Sequence, residues 1–508
     1  AMKLLASLLL ARHGQRPPYA PPFADSAEGP IPWSERAFPS HAAWGMTHDD
    51  FAQQLLTPQG HQLMRNIGEY VRLSLPPEIG CSTPTHIVSD VEMRDVQSAA
   101  AFSDGFFASC PAERAKASLH VANGTLADTL RPIASDHSST GCGPAEREAL
   151  LLFGNHSDLL TASYAPQIER VGEVLGCCSA QLCARFGIAA NCTLAELPTS
   201  YSGPDDYWDA MLTSPLTIAA YFAETFMLQA LSGVQYAWGK LEPAELLRLY
   251  RLHDLVLHLA ASRSSSEAFG SALIAYALAS FEQVIHGAAL PGLVQPPSET
   301  LFLAAFVHDL NLMYVQRLLG GSWLTDSWPI DSTPPGGFIT LELWAIEPQP
   351  TPPDAAPPAQ TEPLASPEGY RVRASFTSAS FEQQRRGDPL VPPHTPPSVS
   401  PFLDLPYSEF TRVVLSAIDR RCIAQPLRGT VELLAPHDLM VSWLASRLAT
   451  ISALAIFAVG VACGGFLGFQ WRHRLADLLE SMNGRASLVR SPPDNAYTSF
   501  ITCRAGTP

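Results

Sequence analysis

Three stretches of the sequence place histidine, arginine and aspartate directly after an apolar run. The first, "LLLARHGQRPPY", contains Arg12, His13 and Arg16. In the second, Arg94 directly follows "IVSDVEM", and in the third, His308 and Asp309 end "TLFLAAFVHD". Each apolar run is typical of a buried strand, and in an open parallel sheet ligands bind beyond the carboxyl ends of the strands. We therefore expect these side chains, which are remote in sequence, to meet at one site.

Residues of these types together favour phosphoryl transfer. The planar fork of arginine binds phosphate oxygens, and several guanidinium groups spread the charge that develops during transfer. A neutral, oriented histidine can act as the nucleophile, and a nearby carboxylic acid can protonate the leaving alkoxide. The set predicts a covalent phosphohistidine intermediate, and this chemistry requires no metal or other cofactor.

The elements that must position these residues alternate between strand and helix. Apolar runs predict strands over 4–11, 85–90 and 300–309, and the sequence pattern predicts helices over 57–75 and 94–110. This alternation indicates an α/β core.

Two sequence motifs of the candidate site resemble signatures of a known family. "RHGQRPP" fits the R-H-G-x-R-x-P signature of the histidine acid phosphatases, branch 2 of the histidine phosphatase superfamily, and "HDLNL" resembles their second signature, H-D-x-N-L. "IVSDVEMRDVQSAAAFSDGFFASC" and "DSTPPGGFITLELW" resemble segments of the phytase and glucose-1-phosphatase subgroup. The resemblance extends in ordered pieces over most of residues 1–345.

The resemblance implies a role for each residue of the candidate site. His13 matches the nucleophile and Asp309 the proton donor to the leaving group. The phosphate-holding positions match Arg12, Arg16, Arg94 and His308. The family fold is a large α/β domain with a mainly parallel central sheet and a smaller α-helical cap domain, which we expect within about 115–250, where the sequence is largely helical in pattern.

The sequence also departs from the subgroup. Val307 stands where the residue before the second His-Asp is usually glycine. Tyr19 stands where phytases tend to have threonine, which weakens an assignment to phytate. A second His-Asp pair, His253–Asp254 in "RLHDL", lies in a predicted helix rather than at a strand end, and we interpret it as structural.

Eight of the ten cysteines precede residue 440, and their number is even. An even count in an oxidising compartment indicates disulfides, and the absence of a C-x-x-C pair argues against a metal site. The family resemblance implies the pairs Cys81–Cys110 and Cys183–Cys192. The pairing of the other four is open: Cys142, Cys177, Cys178 and Cys422.

An uncharged stretch lies near the C-terminus. Residues 448–469 hold 22 residues without a charge, and "WRHR" follows at 471–474. A bilayer span needs about 20 apolar residues, and arginine on that side favours a cytosolic tail. We predict an extracytosolic domain over 1–440, a transmembrane helix over 448–470 and a short cytosolic tail over 471–508; a buried soluble helix is the alternative.

Further motifs agree with a lumenal or extracellular domain. Sequons lie at Asn123, Asn155 and Asn191.

"MKLLASLLLARHG" looks like a signal peptide, but cleavage there would cut into the strand that carries the Arg-His-Gly turn, so we expect the signal to have been removed already. In the tail, Tyr497 and Phe500 form a "YTSF" pattern that resembles sorting signals bound by clathrin adaptors, which favours the endosome or lysosome, with the cell surface second.

Three hypotheses for function follow. The first is a single-span, type I membrane-bound acid phosphatase that hydrolyses phosphomonoesters. The second is a receptor or adhesion ectodomain that kept the fold and lost catalysis, and the third is a phosphomutase or transferase. The net charge of −16 argues against a nucleic-acid partner, because no basic stripe is present to contact phosphate backbones. A homodimer is compatible with the sequence.

Overall fold

The centre of the fold is a seven-stranded sheet, seen in a computed structural model. The structure describes residues 2–111, 117–131, 142, 157–198, 214–346 and 369–434. The strands are β1 (Met2–Arg12), β2 (Gly29–Ile31), β3 (Ser34–Phe38), β4 (Thr85–Ser89), β5 (Ala117–Val121), β6 (Leu301–Val307), β7 (Phe338–Ile346), β8 (Tyr370–Ser378) and β9 (Ser398–Pro406). β2 and β3 form a separate two-stranded sheet.

Helices lie between the strands in the sequence and follow the last strand. They are α1 (His48–Ala52), α2 (Pro58–Ser74), α3 (Met93–Phe106), α4 (Gly124–Leu130), α5 (Ser157–Ser163), α6 (Ala165–Leu175), α7 (Ala180–Arg185), α8 (Pro215–Leu231), α9 (Pro243–Ala260), α10 (Arg263–His286), α11 (Asp309–Leu319), α12 (Phe381–Arg386), α13 (Tyr407–Ala417) and α14 (Leu427–Leu434). Short 3₁₀ helices occur at His41–Trp44, Leu194–Glu196, Tyr236–Gly239 and Arg420–Cys422.

The strand order in the large sheet is β5-β4-β6-β1-β7-β8-β9. β5, β4, β6 and β1 pair in parallel, whereas β7, β8 and β9 continue the sheet through antiparallel pairs. Since β8 is antiparallel to β7, which is itself antiparallel to β1, five of the seven strands run in one direction. The predicted α/β fold with a mainly parallel central sheet is confirmed.

The three inner parallel strands of the sheet, β4, β6 and β1, are largely buried on both faces. Every residue of β4 and β6 is buried, and β1 is buried from Ala6 to Arg12. Continuous apolar burial is the pattern expected of parallel strands that are covered by helices on both faces. Because β1 lies between β6 and β7, the end of the first apolar run lies at the middle of the sheet.

The described part of the predicted cap region is helical apart from β5, which joins the edge of the sheet. α8 is buried along almost its whole length and packs against α9. Most of its apolar residues belong to a hydrophobic core cluster that also includes residues of α6 and Trp33. A helix that is apolar all round is expected to be buried in this way. That these helices form a separate cap domain stays a prediction.

One helix among the described residues, α10, is long and apolar enough to cross a bilayer by length and composition. Its apolar window is 83% buried inside the protein, as in the core helix of a large domain. The predicted span at 448–470, the tail with Tyr497 and Phe500, and the sequon at Asn155 lie outside the described residues.

Four disulfides are present in the described part of the chain. The structure contains the two pairs that the resemblance implies, Cys81–Cys110 and Cys183–Cys192. The four remaining cysteines, whose pairing the sequence leaves open, form Cys142–Cys422 and the adjacent pair Cys177–Cys178. The Cys142–Cys422 bond joins residues 280 positions apart, so it closes a loop that spans most of the described chain.

Candidate active site

The backbone of His13 is held between the ends of two neighbouring strands. Its amide donates to the carbonyl of Val307 at 3.1 Å, and its own carbonyl accepts from the amide of Gly336 at 3.0 Å. The imidazole Nδ1 lies 2.8 Å from the carbonyl oxygen of Gly14. Because a carbonyl oxygen can only accept a hydrogen bond, Nδ1 carries the proton and the lone pair lies on Nε2.

Gly14 is required by packing at this turn. A Cβ on this residue would lie 2.7 Å from the carbonyl oxygen of Gly60 and 3.0 Å from the side chain of Met64, both on α2. Its amide donates to the hydroxyl of Ser98 on α3 at 3.1 Å. The turn that carries His13 is therefore fixed by both helices, and a side chain at position 14 would push α2 away.

Burial and neighbouring positive charge keep His13 neutral. The pKa of the His13 imidazole lies well below its usual range, because burial disfavours the imidazolium and Arg94 and Arg12 repel it further. His308 and Arg16 act in the same direction. A buried histidine with a free Nε2 lone pair and several cations around it has the properties of a nucleophile toward an anionic group.

Arg12 and Arg16 are bound on one side by carboxylates. Arg12 is 1% exposed and donates to the carbonyl of Thr333 at 2.7 Å. Its other amino nitrogen lies 3.1 Å from Glu224 Oε1 and 2.8 Å from Asp309 Oδ2. Arg16 lies 3.6 Å from the same oxygen of Glu224. Glu224 thus links two of the predicted phosphate-binding arginines.

Arg94 and His308 meet beside His13. Arg94 lies 3.4 Å from His308 Nδ1, and the rings of His13 and His308 are 5.6 Å apart between centroids. His308 Nε2 faces two carboxylates, Asp90 at 3.0 Å and Asp95 at 3.6 Å. We refer to Asp90, Arg94, Asp95 and His308 as the His308 cluster.

Asp95 is buried without a hydrogen bond to either carboxylate oxygen. Burial raises its pKa to about 7, and Asp90 and Glu92 contribute in the same direction. His308 and Arg94 oppose this rise, but the nearest nitrogen of Arg94 is 4.0 Å away. Asp95 is therefore a carboxyl group that the protein keeps largely protonated at acidic pH.

Asp309 shows the opposite shift. Burial would raise the pKa of its carboxyl group, but the nearby Arg12 guanidinium, with help from His253 and His308, lowers it to about 2. The amide of Leu310 also donates to its Oδ1 at 2.8 Å. We refer to Arg12, Glu224, His253 and Asp309 as the Asp309 cluster.

His253, which we interpret as structural, lies beside the candidate site. The residue lies in a helix, α9, as predicted, but its Nε2 is 3.8 Å from Glu224 Oε1, beside Arg12 and Asp309. Its partner in the sequence, Asp254, instead accepts from the hydroxyl of Ser332 at 2.9 Å. Which face of α9 points toward the site depends on its packing against α8, and the helical periodicity does not reveal it.

Glu224, Asp90 and Asp95 also belong to the site, although the strand-end pattern does not predict them. A signal existed for Glu224, because it is the only charged residue in the 17-residue apolar helix α8. A buried carboxylate requires a partner, and the arginines at the end of β1 provide it. Asp90 and Asp95 flank Arg94 closely in sequence, but only the structure shows that both face His308.

Two groups of side chains have the donor types and spacing of metal ligands. They are Asp90, Asp95 and His308, and Glu224, His253 and Asp309. Each group already has a guanidinium beside it, Arg94 in the first and Arg12 in the second. In the predicted phosphate site, these cations would supply positive charge of the kind that a metal contributes to binding phosphate.

The six predicted site residues come together as the strand-end argument requires. They are Arg12, His13, Arg16, Arg94, His308 and Asp309. Val307 is completely buried in β6, where its carbonyl binds the His13 amide. The sequons at Asn123 and Asn191 lie on exposed residues, Asn123 at the start of α4 and Asn191 beside the Cys183–Cys192 bond.

Comparisons with known proteins agree with the geometry. The sequence matches the profile of the histidine phosphatase superfamily (branch 2) over residues 4–376, which include all six predicted site residues. No curated protein matches the sequence directly.

Solved structures share the fold at low identity. The phytase of Hafnia alvei in complex with myo-inositol hexakis sulphate is 17% identical, with a TM-score of 0.63 over 83% of this chain and 99% of the phytase. The phytase of Citrobacter braakii is 20% identical, with a TM-score of 0.63 over 84% of this chain and 100% of that one. The Klebsiella sp. ASR1 phytase is 18% identical, with a TM-score of 0.57 over 84% and 99%.

Proposed function

The chain belongs to branch 2 of the histidine phosphatase superfamily, and we propose that it is an acid phosphatase that hydrolyses phosphomonoesters through a phosphohistidine on His13. The observation that carries this proposal is the position of the buried His13 imidazole, whose Nδ1 is bound to the Gly14 carbonyl and whose neighbours include three arginines. Those arginines are Arg12, Arg16 and Arg94.

In the first step the Nε2 lone pair of His13 attacks phosphorus, and the bond between phosphorus and the ester oxygen breaks. The guanidinium groups and His308 hold the phosphate oxygens and stabilise the charge that they carry during transfer. The leaving alkoxide takes a proton from the carboxyl group of Asp309. The products of this step are the free alcohol and phosphorylated His13.

Substrate binding itself prepares Asp309 for this role. In the free protein, Arg12 at 2.8 Å is the main reason that the Asp309 carboxyl is ionised, because burial alone would raise its pKa. A bound phosphate dianion offsets the positive charge of Arg12. The effect of burial then remains, so the pKa of Asp309 rises and the carboxyl takes up the proton that it later donates.

In the second step water attacks phosphorus on the opposite side from His13. The Asp309 carboxylate accepts the proton from this water, the bond between phosphorus and Nε2 breaks, and inorganic phosphate leaves. The net reaction is a phosphomonoester plus water giving an alcohol plus phosphate. Once phosphate has left, Asp309 releases this proton to solvent, and His13 and Asp309 return to their starting states.

The low pKa of His13 supports work at acidic pH. An ordinary histidine, with a pKa of about 6.5, would be protonated and without a lone pair in an acidic lumen. Burial and the nearby arginines keep His13 neutral there. We therefore propose that turnover is fastest below neutral pH.

We further propose that residues 448–470 anchor the domain to a membrane, with residues 1–440 in the lumen or outside the cell. Four disulfides support an oxidising compartment. The exposed sequons at Asn123 and Asn191 are accessible for glycosylation. A clathrin adaptor that binds the "YTSF" motif in the tail would direct the protein to the endosome or lysosome.

The full chain, purified in detergent, tests the proposed reaction. We expect the wild type to hydrolyse 4-nitrophenyl phosphate between pH 4 and 7 and to yield phosphorylated His13 after acid-free denaturing quench. His13→Ala removes the nucleophile, so kcat should fall at least about 10³-fold. His48→Ala is the control, because that side chain is 70% exposed and outside the site.

Full turnover by His13→Ala would overturn the phosphohistidine mechanism. A wild type that binds inorganic phosphate without any turnover would instead favour the binding-ectodomain hypothesis. Products in which an added alcohol or sugar replaces water as the acceptor would indicate a transferase.

A further inference from the structure

The ring of Tyr19 lies over the phosphate-binding arginines. Its centroid is 4.1 Å from the guanidinium carbon of Arg16 and 5.8 Å from that of Arg94. The hydroxyl of Tyr221, on α8, donates to the Tyr19 carbonyl. Because Tyr221 lies one helical turn before Glu224, the same helix positions both the tyrosine and the carboxylate that binds Arg12 and Arg16.

Tyr19 is also the solvent-facing member of this group. The side chains that would hold phosphate are buried, with exposed fractions of 1% for Arg12, 5% for Arg16 and 7% for Arg94. Tyr19 is 40% exposed. A guanidinium binds phosphate through N–H groups in its plane and offers its face to an aromatic ring, so one arginine can do both at once.

The alcohol part of a bound ester must extend from the buried phosphate toward solvent, and the ring of Tyr19 stands on that side. A flat apolar group can stack on such a ring. Stacking strengthens binding by burying apolar surface and by the favourable arrangement of the two rings. An alcohol that carries further phosphates would instead need additional cations around the opening. Among the described residues, carboxylates lie beside the two arginines under the Tyr19 ring: Glu92 beside Arg94 and Glu224 beside Arg16.

We propose that Tyr19 is a specificity-determining residue whose ring contacts the leaving group and selects phosphomonoesters of flat aromatic alcohols. This inference rests on the proposed phosphatase function. It assigns the substrate class to the alcohol side of the same site, where Tyr19 provides an apolar wall and the arginines hold the phosphate.

The test compares an aromatic with an aliphatic substrate in the full chain. Tyr19→Ala should lower kcat/KM for 1-naphthyl phosphate by about three- to tenfold, mainly by raising KM. This fold-change corresponds to the binding free energy of one aromatic contact. It should change kcat/KM for glycerol 2-phosphate by less than about twofold. Tyr19→Phe should retain the preference, because the ring remains. Each effect is expressed relative to the wild type on the same substrate, so intrinsic leaving-group reactivity cancels.

Phe23→Ala is the matched control. Phe23 is 38% exposed and lies 3.8 Å from the guanidinium carbon of Arg185, so it is also an exposed ring on an arginine, but not on one that the site uses. This variant should leave both substrates unchanged.

Two results would overturn the inference while leaving the phosphatase function intact. An equal loss on both substrates, with a matching rise in the inhibition constant of inorganic phosphate, would show that the ring only orders the arginines. An unchanged preference in Tyr19→Ala would show that the ring does not contact the leaving group. A wild type without turnover on either substrate would overturn both the inference and the proposed function.

Discussion

The His308 cluster and the Asp309 cluster both lie near His13 and contain the same kinds of residue, yet the pKa values of Asp95 and Asp309 shift in opposite directions. The pKa of Asp95 is raised to about 7, whereas that of Asp309 is lowered to about 2. Burial raises the pKa of both. The charges around the two groups differ. Arg12 lies 2.8 Å from Asp309 and lowers its pKa, whereas His308 at 3.6 Å and Arg94 at 4.0 Å are farther from Asp95. The carboxylates Asp90 and Glu92 also raise the pKa of Asp95.

At Asp309 the short ion pair with Arg12 outweighs burial, whereas at Asp95 the more distant cations do not. Asp309 has 16% of its side chain exposed and can exchange protons with substrate and water, while Asp95 is fully buried behind Arg94 and His308. An ionised carboxylate at Asp95 would place negative charge behind the phosphate-binding groups. Keeping it protonated at acidic pH leaves the charge of Arg94 available for phosphate.

The largest expected effect comes from Asp309→Asn. An amide cannot donate a proton to the leaving group, so kcat for an alkyl phosphate such as glycerol 2-phosphate should fall by about 10²- to 10⁴-fold. The fall should be much smaller for 4-nitrophenyl phosphate, whose leaving group needs little protonation. Steady-state kcat values for the two substrates check this, and equal slowing of both would contradict the role of Asp309 as the acid.

The next effect is on stability and concerns Asp95→Asn. An unfolded aspartate has a pKa of about 3.9, so between about pH 4 and pH 7 the folded protein binds more protons at Asp95 than the unfolded chain does. Its contribution to the free energy of unfolding therefore declines as pH rises through this window. Relative to the wild type, the variant should gain roughly 2–4 kcal/mol in stability between pH 4 and pH 8.

Thermal unfolding of the full chain at several pH values measures this gain. Asp104→Asn, at an exposed position of the same helix, α3, is the control and should follow the wild type at every pH. If the difference in Tm between Asp95→Asn and the wild type did not vary with pH, Asp95 would be ionised in the folded protein, and the contrast with Asp309 would disappear.

The smallest effect is expected from His253→Asn. The imidazole contacts Glu224 and influences Asp309 without touching the phosphate, so kcat should fall by only about three- to tenfold. His258→Asn, half-buried on the same helix, should leave kcat unchanged. A His253 variant that lost stability but kept wild-type kcat would restore the structural interpretation of this residue.

Much of the fold and of the site could be predicted because local signals carry it. Apolar runs mark β1, β4 and β6, and the parallel arrangement of these strands brings Arg12, Arg94 and His308 to one edge of the sheet. Glu224 and His253, whose position beside the site the sequence pattern does not indicate, lie on helices. Their direction depends on how α8 and α9 pack, which helical periodicity does not show.

The sequence by itself determined the family and which residues stand at the strand ends, and with them the proposed nucleophile and the proposed phosphate-binding arginines. Only the tertiary structure decided the protonation of the carboxyl groups around them. Asp95 and Asp309 have the same chemistry, and each lies next to a site residue in the sequence. Their pKa values move apart because electrostatic attraction falls with distance, and chain folding alone sets how close each carboxylate comes to a guanidinium.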